Sequence, residues 1–138
     1  MIRRSFIKKA MTGSVFLGAG SFPMAAFNEP EILKLTILHT NDQHSRIEPF
    51  ESGRLKGLGG AARRATLLEN IRKVEQNVLL LDSGDIFQGT PYFNYFGGEL
   101  EFKLMSKMKY DATTIGNHDF DAGMDGLLKQ LPHANFPF

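Results

Sequence analysis

The sequence predicts an α/β fold built on a parallel sheet. Three observations point to it. The runs ILKLTILHT (32–40), NVLLLDSGD (77–85) and YDATTIGN (110–117) are apolar or β-branched and short, as buried strands are. Each is followed by a segment with helical spacing of apolar residues, giving the order strand, helix, strand, helix, strand, helix. Each also ends in a polar stretch rich in acids, histidine or asparagine, where α/β sheets carry their functional loops.

The elements follow in order. Residues 32–40 alternate and then run apolar, and NDQHSRIEPFESGRLKG (41–57) is a long polar loop. Leu58, Ala61, Ala62, Ala65, Leu68 and Ile71 form one helical stripe, with small alanines that allow close packing on a sheet. The second strand leads into IFQGTPYFNYFGG (86–98), read as an aromatic loop. ELEFKLMSKM (99–108) predicts a helix facing Leu100, Leu104, Met105 and Met108 inward, and AGMDGLLKQL (122–131) a third, weaker one. The end at HANFPF, apolar and uncapped, predicts a chain that stops within a domain.

Residues 1–26 have a different character. Arg3, Arg4, Lys8 and Lys9 precede a modest apolar stretch, Ala10 to Phe22, and small residues at Ala25 and Ala26. That is the grammar of an export signal. The stretch falls short of the ~18 apolar residues of a stable membrane span. Arg3-Arg4-Ser5-Phe6-Ile7-Lys8 resembles a bacterial twin-arginine signal, with an ordinary secretory signal or a retained basic start as alternatives. Residues 27–32 form a polar linker with Pro30. The expected location is periplasmic or secreted, and the export machinery is the expected partner.

Charge narrows the function. Of 16 basic side chains, the four just named precede the first acid, Glu29, and the remainder are outnumbered by 15 acidic ones. A basic footprint for a nucleic-acid polymer is therefore absent. The chain contains no Cys, which excludes disulfides, a thiolate nucleophile and sulfur-ligated metal. It has neither G-x-G-x-x-G nor G-K-[ST], and GLGG (57–60) is too loose to cradle phosphate.

The polar strand ends hold the candidate chemistry. Asp42 and His44 lie two apart and, in extended chain, face one side. Asp85 follows Gly84, and Asn117 offers an amide oxygen. Such O/N donors suit Mn, Mg, Zn or Fe. Singly, each has a bland reading: Asp42 and Asp85 as turn acids, Asn41 and Asn117 as turn residues, His44 as a surface histidine. His39, within the first strand, and His133 read as packed or exposed rather than as ligands. Asp82 reads as a hydrogen-bond acceptor for the loop backbone.

Taken together, D-x-H, then G-D, then G-N-H-D, each after a strand, resembles the calcineurin-like metallophosphoesterase superfamily. LTILHTNDQHSRIE, LDSGDIFQGTP, GNHDFDAG and KGLGGAARRATLLE resemble its secreted 5′-nucleotidase branch, which includes UDP-sugar hydrolases and 2′,3′-cyclic nucleotide phosphodiesterases. The likeness covers about residues 33–138. It implies part of a four-layer α/β/β/α sandwich, the N-terminal β-α-β-α-β-α portion. It implies two divalent metal ions (Mn, Zn, Mg, Co or Fe) and hydrolysis of nucleotide phosphomonoesters by metal-activated hydroxide. Asp42 and His44 would bind the first metal, Asp85 would bridge both, and Asn117 would bind the second. His118 would be catalytic, meeting phosphoryl oxygens or the leaving group, with Asp121 orienting it. Asp119 takes the variable position of G-N-H-x-F-D, from which no direct role follows.

The family's further metal-binding histidines and substrate-binding domain have no counterpart within these residues. The chain is therefore expected to hold part of a site, to be marginally stable and to be inactive alone. Tyr92, Phe93, Tyr95 and Phe96 are expected to pack under the site's rim rather than to stack a base. A cyclic-nucleotide or UDP-sugar phosphodiesterase, a thiosulfate-handling relative and a decayed, non-catalytic relative are the alternatives. The intact set Asp42, His44, Asp85, Asn117 and His118 argues against decay.

Overall fold

The computed structural model describes residues 33–138. The export signal and linker expected over 1–32 lie outside the described residues. Strands β1 (Thr36–Thr40), β2 (Val78–Asp82) and β3 (Ala112–Thr113) form a parallel sheet in the order β1-β2-β3. Parallel neighbours need long crossovers, and helices supply them. Helix α1 (Ala61–Val74) joins β1 to β2. Helices α2 (Pro91–Phe96) and α3 (Glu99–Lys107) join β2 to β3, and α4 (Gly123–Gln130) follows. The α/β class with a parallel sheet is as expected.

The register matters for function. Thr40 pairs with Asp82, and Asp82 with Thr113, so the last residues of all three strands lie in one row across the carboxyl edge. The strands are shorter than expected. β3 keeps two residues of the eight-residue run, although the flanking Asp111 and Thr114 still donate their N–H groups to Leu80 and Asp82 of β2 at 2.8 and 3.1 Å.

Period-two alternation divides the sheet faces. Leu80 is completely buried and Leu38 packs on the same cluster, while Ile37 stays 58% exposed on the other side. The core joins Leu68 of α1, Leu80 of β2, Phe102 and Met105 of α3 and Leu127 of α4, with Ile86 and Phe87 from the loop after β2. Phe87 and Phe102 rings lie 4.7 Å apart. Burying each such ring stabilises by about 1.5–3 kcal/mol over leaving it exposed.

Three helix expectations need correction. Helix α1 starts at Ala61, behind Gly60 at φ 88°, so Leu58 falls outside it and is half-exposed, and Ala62 points to solvent. In α3 the inward face centres on Phe102 and Met105, and Leu100 is only partly buried. The expected aromatic loop contains α2, whose signals were local: Pro91 in its first turn and Gly97, at φ 61°, returning its N–H to the Phe93 carbonyl at 2.7 Å. Arg72 of α1 donates to the carbonyls of Met108 and Lys109 at 2.6 and 2.8 Å, which satisfies the end of α3 and ties the two helices together.

Candidate metal centre

The loops after β1 and β2 continue side by side beyond the strands. The backbone N–H groups of Asp42, His44 and Ser45 donate to the carbonyls of Gly84, Asp85 and Ile86 at 3.1, 3.0 and 2.8 Å. Along this stretch Asp42 (φ 48°), His44 (φ 45°) and Asp85 (φ 54°) adopt the left-handed conformation, unusual for residues with a side chain. Such backbone persists only where its surroundings hold it, and the inter-loop bonds do so. Asp42 and His44 were expected to share a side through extended chain. They do converge, but through left-handed turns.

The result is a cluster. One ligand atom each from Asp42, His44 and Asp85 lies within 4.8 Å of the other two. Asp42 Oδ1 stands 3.7 Å from His44 Nε2. His44 Nδ1 lies 3.3 Å from the Phe87 carbonyl, which can only accept, so Nδ1 carries the proton and Nε2 keeps its lone pair for the cluster. Between them Gln43 turns inward, and its amide donates to Asp82 at 2.7 Å.

The third loop closes on this pair. Asp85 Oδ1 accepts the His118 backbone N–H at 2.9 Å. Asn117, one residue earlier, is exposed at the start of a 3₁₀ turn (His118–Phe120) and its amide does not cap that turn. His118 Nδ1 pairs with Asp121 Oδ2 at 2.9 Å. The His118 ring lies edge-on to His44, centroids 5.2 Å apart. The hydrogen bond that His118 donates to Asp121 raises the imidazole above its ordinary value against a smaller desolvation effect, with further help from the Asp121, Asp85 and Asp119 charges.

Asp82 does what the sequence suggested and more. Its Oδ1 accepts the Gly84 N–H at 2.9 Å and the Thr113 hydroxyl at 3.2 Å. Its Oδ2 accepts Thr40 and Gln43 at 2.5 and 2.7 Å. One buried carboxylate thus joins all three strand ends. Asp119, for which no role was expected, is 2% exposed and accepts four backbone N–H groups, from Asp85, Ile86, Phe87 and Gly116.

Other candidates fall away from the cluster. His39 is exposed on β1, and His133 faces Glu99 at 3.8 Å. Of the four aromatics expected under the rim, Phe93 packs on Phe87 at 5.5 Å, whereas Tyr95 is 83% exposed. Tyr92, Tyr95 and Phe96 border an open cleft of about 810 Å³ with Arg46 and Phe50.

Two carboxylates and an imidazole nitrogen thus gather within 4.8 Å of one another. Among the described residues, no Lys or Arg forms an ion pair with Asp42 or Asp85. Carboxylates so placed repel one another unless a cation intervenes, and an O/N donor set suits hard and borderline divalent ions. The residues fit a divalent metal.

Comparison with known proteins agrees. The snake venom 5′-nucleotidase of Crotalus adamanteus is 51% identical over 110 residues, covering 75% of this chain and 19% of that protein. Among solved structures, the 5′-nucleotidase precursor of Thermus thermophilus superposes with a TM-score of 0.69 at 43% identity, covering 74% of this chain and 21% of that one. The NAD nucleotidase of Haemophilus influenzae gives the same TM-score at 39% identity, covering 75% and 20%. The chain thus spans about a fifth of the length of these relatives. The family model for calcineurin-like phosphoesterases matches residues 35–138, from the residue before β1 through all three loops of the cluster. With its acids and histidines at the ends of parallel strands where that match runs, the chain belongs to the calcineurin-like phosphoesterase family.

Proposed function

We propose that the protein carrying this segment hydrolyses phosphomonoesters of nucleotides, as a 5′-nucleotidase does, with two divalent ions at the cluster. The observation that carries the reading is the convergence of Asp42, His44 and Asp85 within 4.8 Å at the carboxyl edge of a parallel sheet. Asp42 and His44 would hold the first ion, Asp85 would serve both, and Asn117 would offer its amide oxygen to the second. Mn, Zn, Mg, Co and Fe all suit these donors. Bound there, such ions supply Lewis-acid neutralisation of phosphoryl charge and a water acidic enough to attack phosphorus at neutral pH.

The chain's own catalytic groups are His118 and Asp121. A carboxylate accepts only, so the 2.9 Å bond to Asp121 keeps a proton on His118 Nδ1. The raised imidazole value keeps Nε2 protonated over a wider pH range, ready to donate to a phosphoryl oxygen or the leaving group. The Asp85 bond places the His118 backbone beside the proposed metal site, and the Asp121 bond then orients the ring.

The 5′-nucleotidases among the relatives support a nucleotide substrate. The likeness to an NAD nucleotidase favours a second reading, cleavage of a diester or pyrophosphate link as in UDP-sugars or 2′,3′-cyclic nucleotides. Chromatography of the products formed by the purified protein from 5′-AMP, UDP-glucose and NAD, each with Mn²⁺ and with EDTA, decides between them. Adenosine and phosphate from 5′-AMP, abolished by EDTA, support the first reading; UMP with glucose 1-phosphate, or AMP with nicotinamide mononucleotide, with 5′-AMP left intact, supports the second; no metal-dependent product from any of the three contradicts both. An exported location, through the twin-arginine route, belongs to the same proposal and is supported by Arg3-Arg4-Ser5-Phe6-Ile7-Lys8.

A further inference from the structure

We infer that Asp119 is a positioning residue, which sets the metal-facing conformation of Asp85 through the backbone and independently of any cation. The inference rests on reading Asp85 as a metal ligand. Asp119 Oδ1 accepts the N–H groups of Ile86 and Phe87 at 2.8 and 3.0 Å. Its Oδ2 accepts those of Asp85 and Gly116 at 3.1 and 2.8 Å. Three successive N–H groups can aim at one carboxylate only if the backbone curls around it, which makes an anion nest. The curl begins at Asp85, with φ at 54°.

The bonding is reciprocal. Asp119, on the third loop, accepts from the backbone of Asp85 on the second. The Asp85 side chain accepts from the backbone of His118 on the third. Asp119 also takes the Gly116 N–H, so it fastens both loops at once. No side-chain cation takes part, and the side chain is 2% exposed. All four donors belong to the main chain, so the geometry they impose is written into the protein itself. Charge-assisted bonds of this kind are the stronger class. Asp85 therefore meets an incoming ion with its direction already fixed, and Asp119 governs affinity without touching the ion.

Asp119→Asn tests this with little change in volume. The amide keeps one accepting oxygen but turns an NH₂ group toward two N–H donors, so half of the nest becomes repulsive. Mn²⁺ affinity is measured in the purified protein by the electron paramagnetic resonance signal of free Mn²⁺, with circular dichroism as the check of folding. The expected result is a native spectrum with affinity about 10–100-fold weaker, the range seen when a group supporting a ligand is lost. Unchanged affinity in a folded variant overturns the inference.

Amide hydrogen exchange in the wild-type protein decides the matter if the variant does not fold. The N–H groups of Asp85, Ile86, Phe87 and Gly116 are expected to be protected without metal, and no more so after Zn²⁺ is added. Free exchange without Zn²⁺ and protection with it would assign the ordering to the cation and overturn the inference. Wild-type protein that protects these four amides yet binds no Mn²⁺ would remove Asp85 as a ligand, and with it the role inferred for Asp119, while leaving the clamp itself standing.

Discussion

Gly84 and Gly116 meet backbone to backbone where the second and third loops cross. A Cβ on Gly84 would stand 2.9 Å from Gly116 Cα, and one on Gly116 would stand 2.7 Å from Asp85 Cγ. Gly84 also sits at φ 89°, which side chains disfavour. Alanine at either position forces the loops apart at Asp85. Gly116→Ala is expected to cost about 1–3 kcal/mol by overpacking, and Gly84→Ala about 1 kcal/mol more through its backbone angle. Urea unfolding checks both. Midpoints equal to wild type would mean that the loops do not touch in solution.

The Asp82 carboxylate makes a separate prediction about stability. It is 5% exposed and accepts from Gly84, Thr113, Thr40 and Gln43. Asp82→Ala leaves these donors without their acceptor, and unsatisfied buried polar groups cost about 1–3 kcal/mol each before relaxation. A loss of about 3 kcal/mol in denaturant unfolding is expected. A loss below about 0.5 kcal/mol, the ordinary range for surface changes, would show that the three strand ends are not held through this residue.

His118 gives a pH dependence. Its native imidazole value lies above the ordinary 6.5 because of the bond to Asp121. A raised native value means that the folded protein binds the proton more tightly than the unfolded chain. The contribution to stability is complete below the unfolded value near 6.5 and is lost as pH rises through the native value. NMR titration of the His118 ring is expected to place its midpoint above that of an unpaired histidine, and Asp121→Asn is expected to bring it down. A midpoint unmoved by Asp121→Asn would remove Asp121 as the orienting partner. In turnover, His118→Asn is expected to lower kcat about 10²–10⁴-fold, more than it raises KM.

The sheet, its crossovers and the three polar strand ends were legible in the sequence because period and residue type coincide there. The convergence of Asp42 and His44 was legible, but its cause was not: their left-handed angles come from pairing with Gly84, Asp85 and Ile86, some forty residues away. The role of Asp119 is hidden from the sequence for a similar reason. Three of its four donors lie on a distant loop, and nothing within GNHDFD marks its acid as the buried one. Helix α2 is marked in the sequence by Pro91 and Gly97, but its six residues are too few to show a helical period among so many aromatics.

Export is testable without reference to the fold. Replacing Arg3 and Arg4 with lysine keeps the charge and removes the paired guanidinium groups. The precursor is expected to accumulate inside the cell, seen by fractionation and immunoblot. Unchanged processing and release would rule out the twin-arginine route.

The assignment of Asp42, His44 and Asp85 as a metal centre, with His118 serving substrate only, is tested most directly by Mn²⁺ titration of wild type, Asp85→Asn and His118→Asn in parallel. Asp85→Asn removes one of the two carboxylates of the cluster and is expected to weaken Mn²⁺ binding by at least the ~100-fold upper end seen when a group that merely supports a ligand is lost. His118→Asn is expected to bind Mn²⁺ as wild type does. Retained affinity in Asp85→Asn, or lost affinity in His118→Asn, would contradict the assignment.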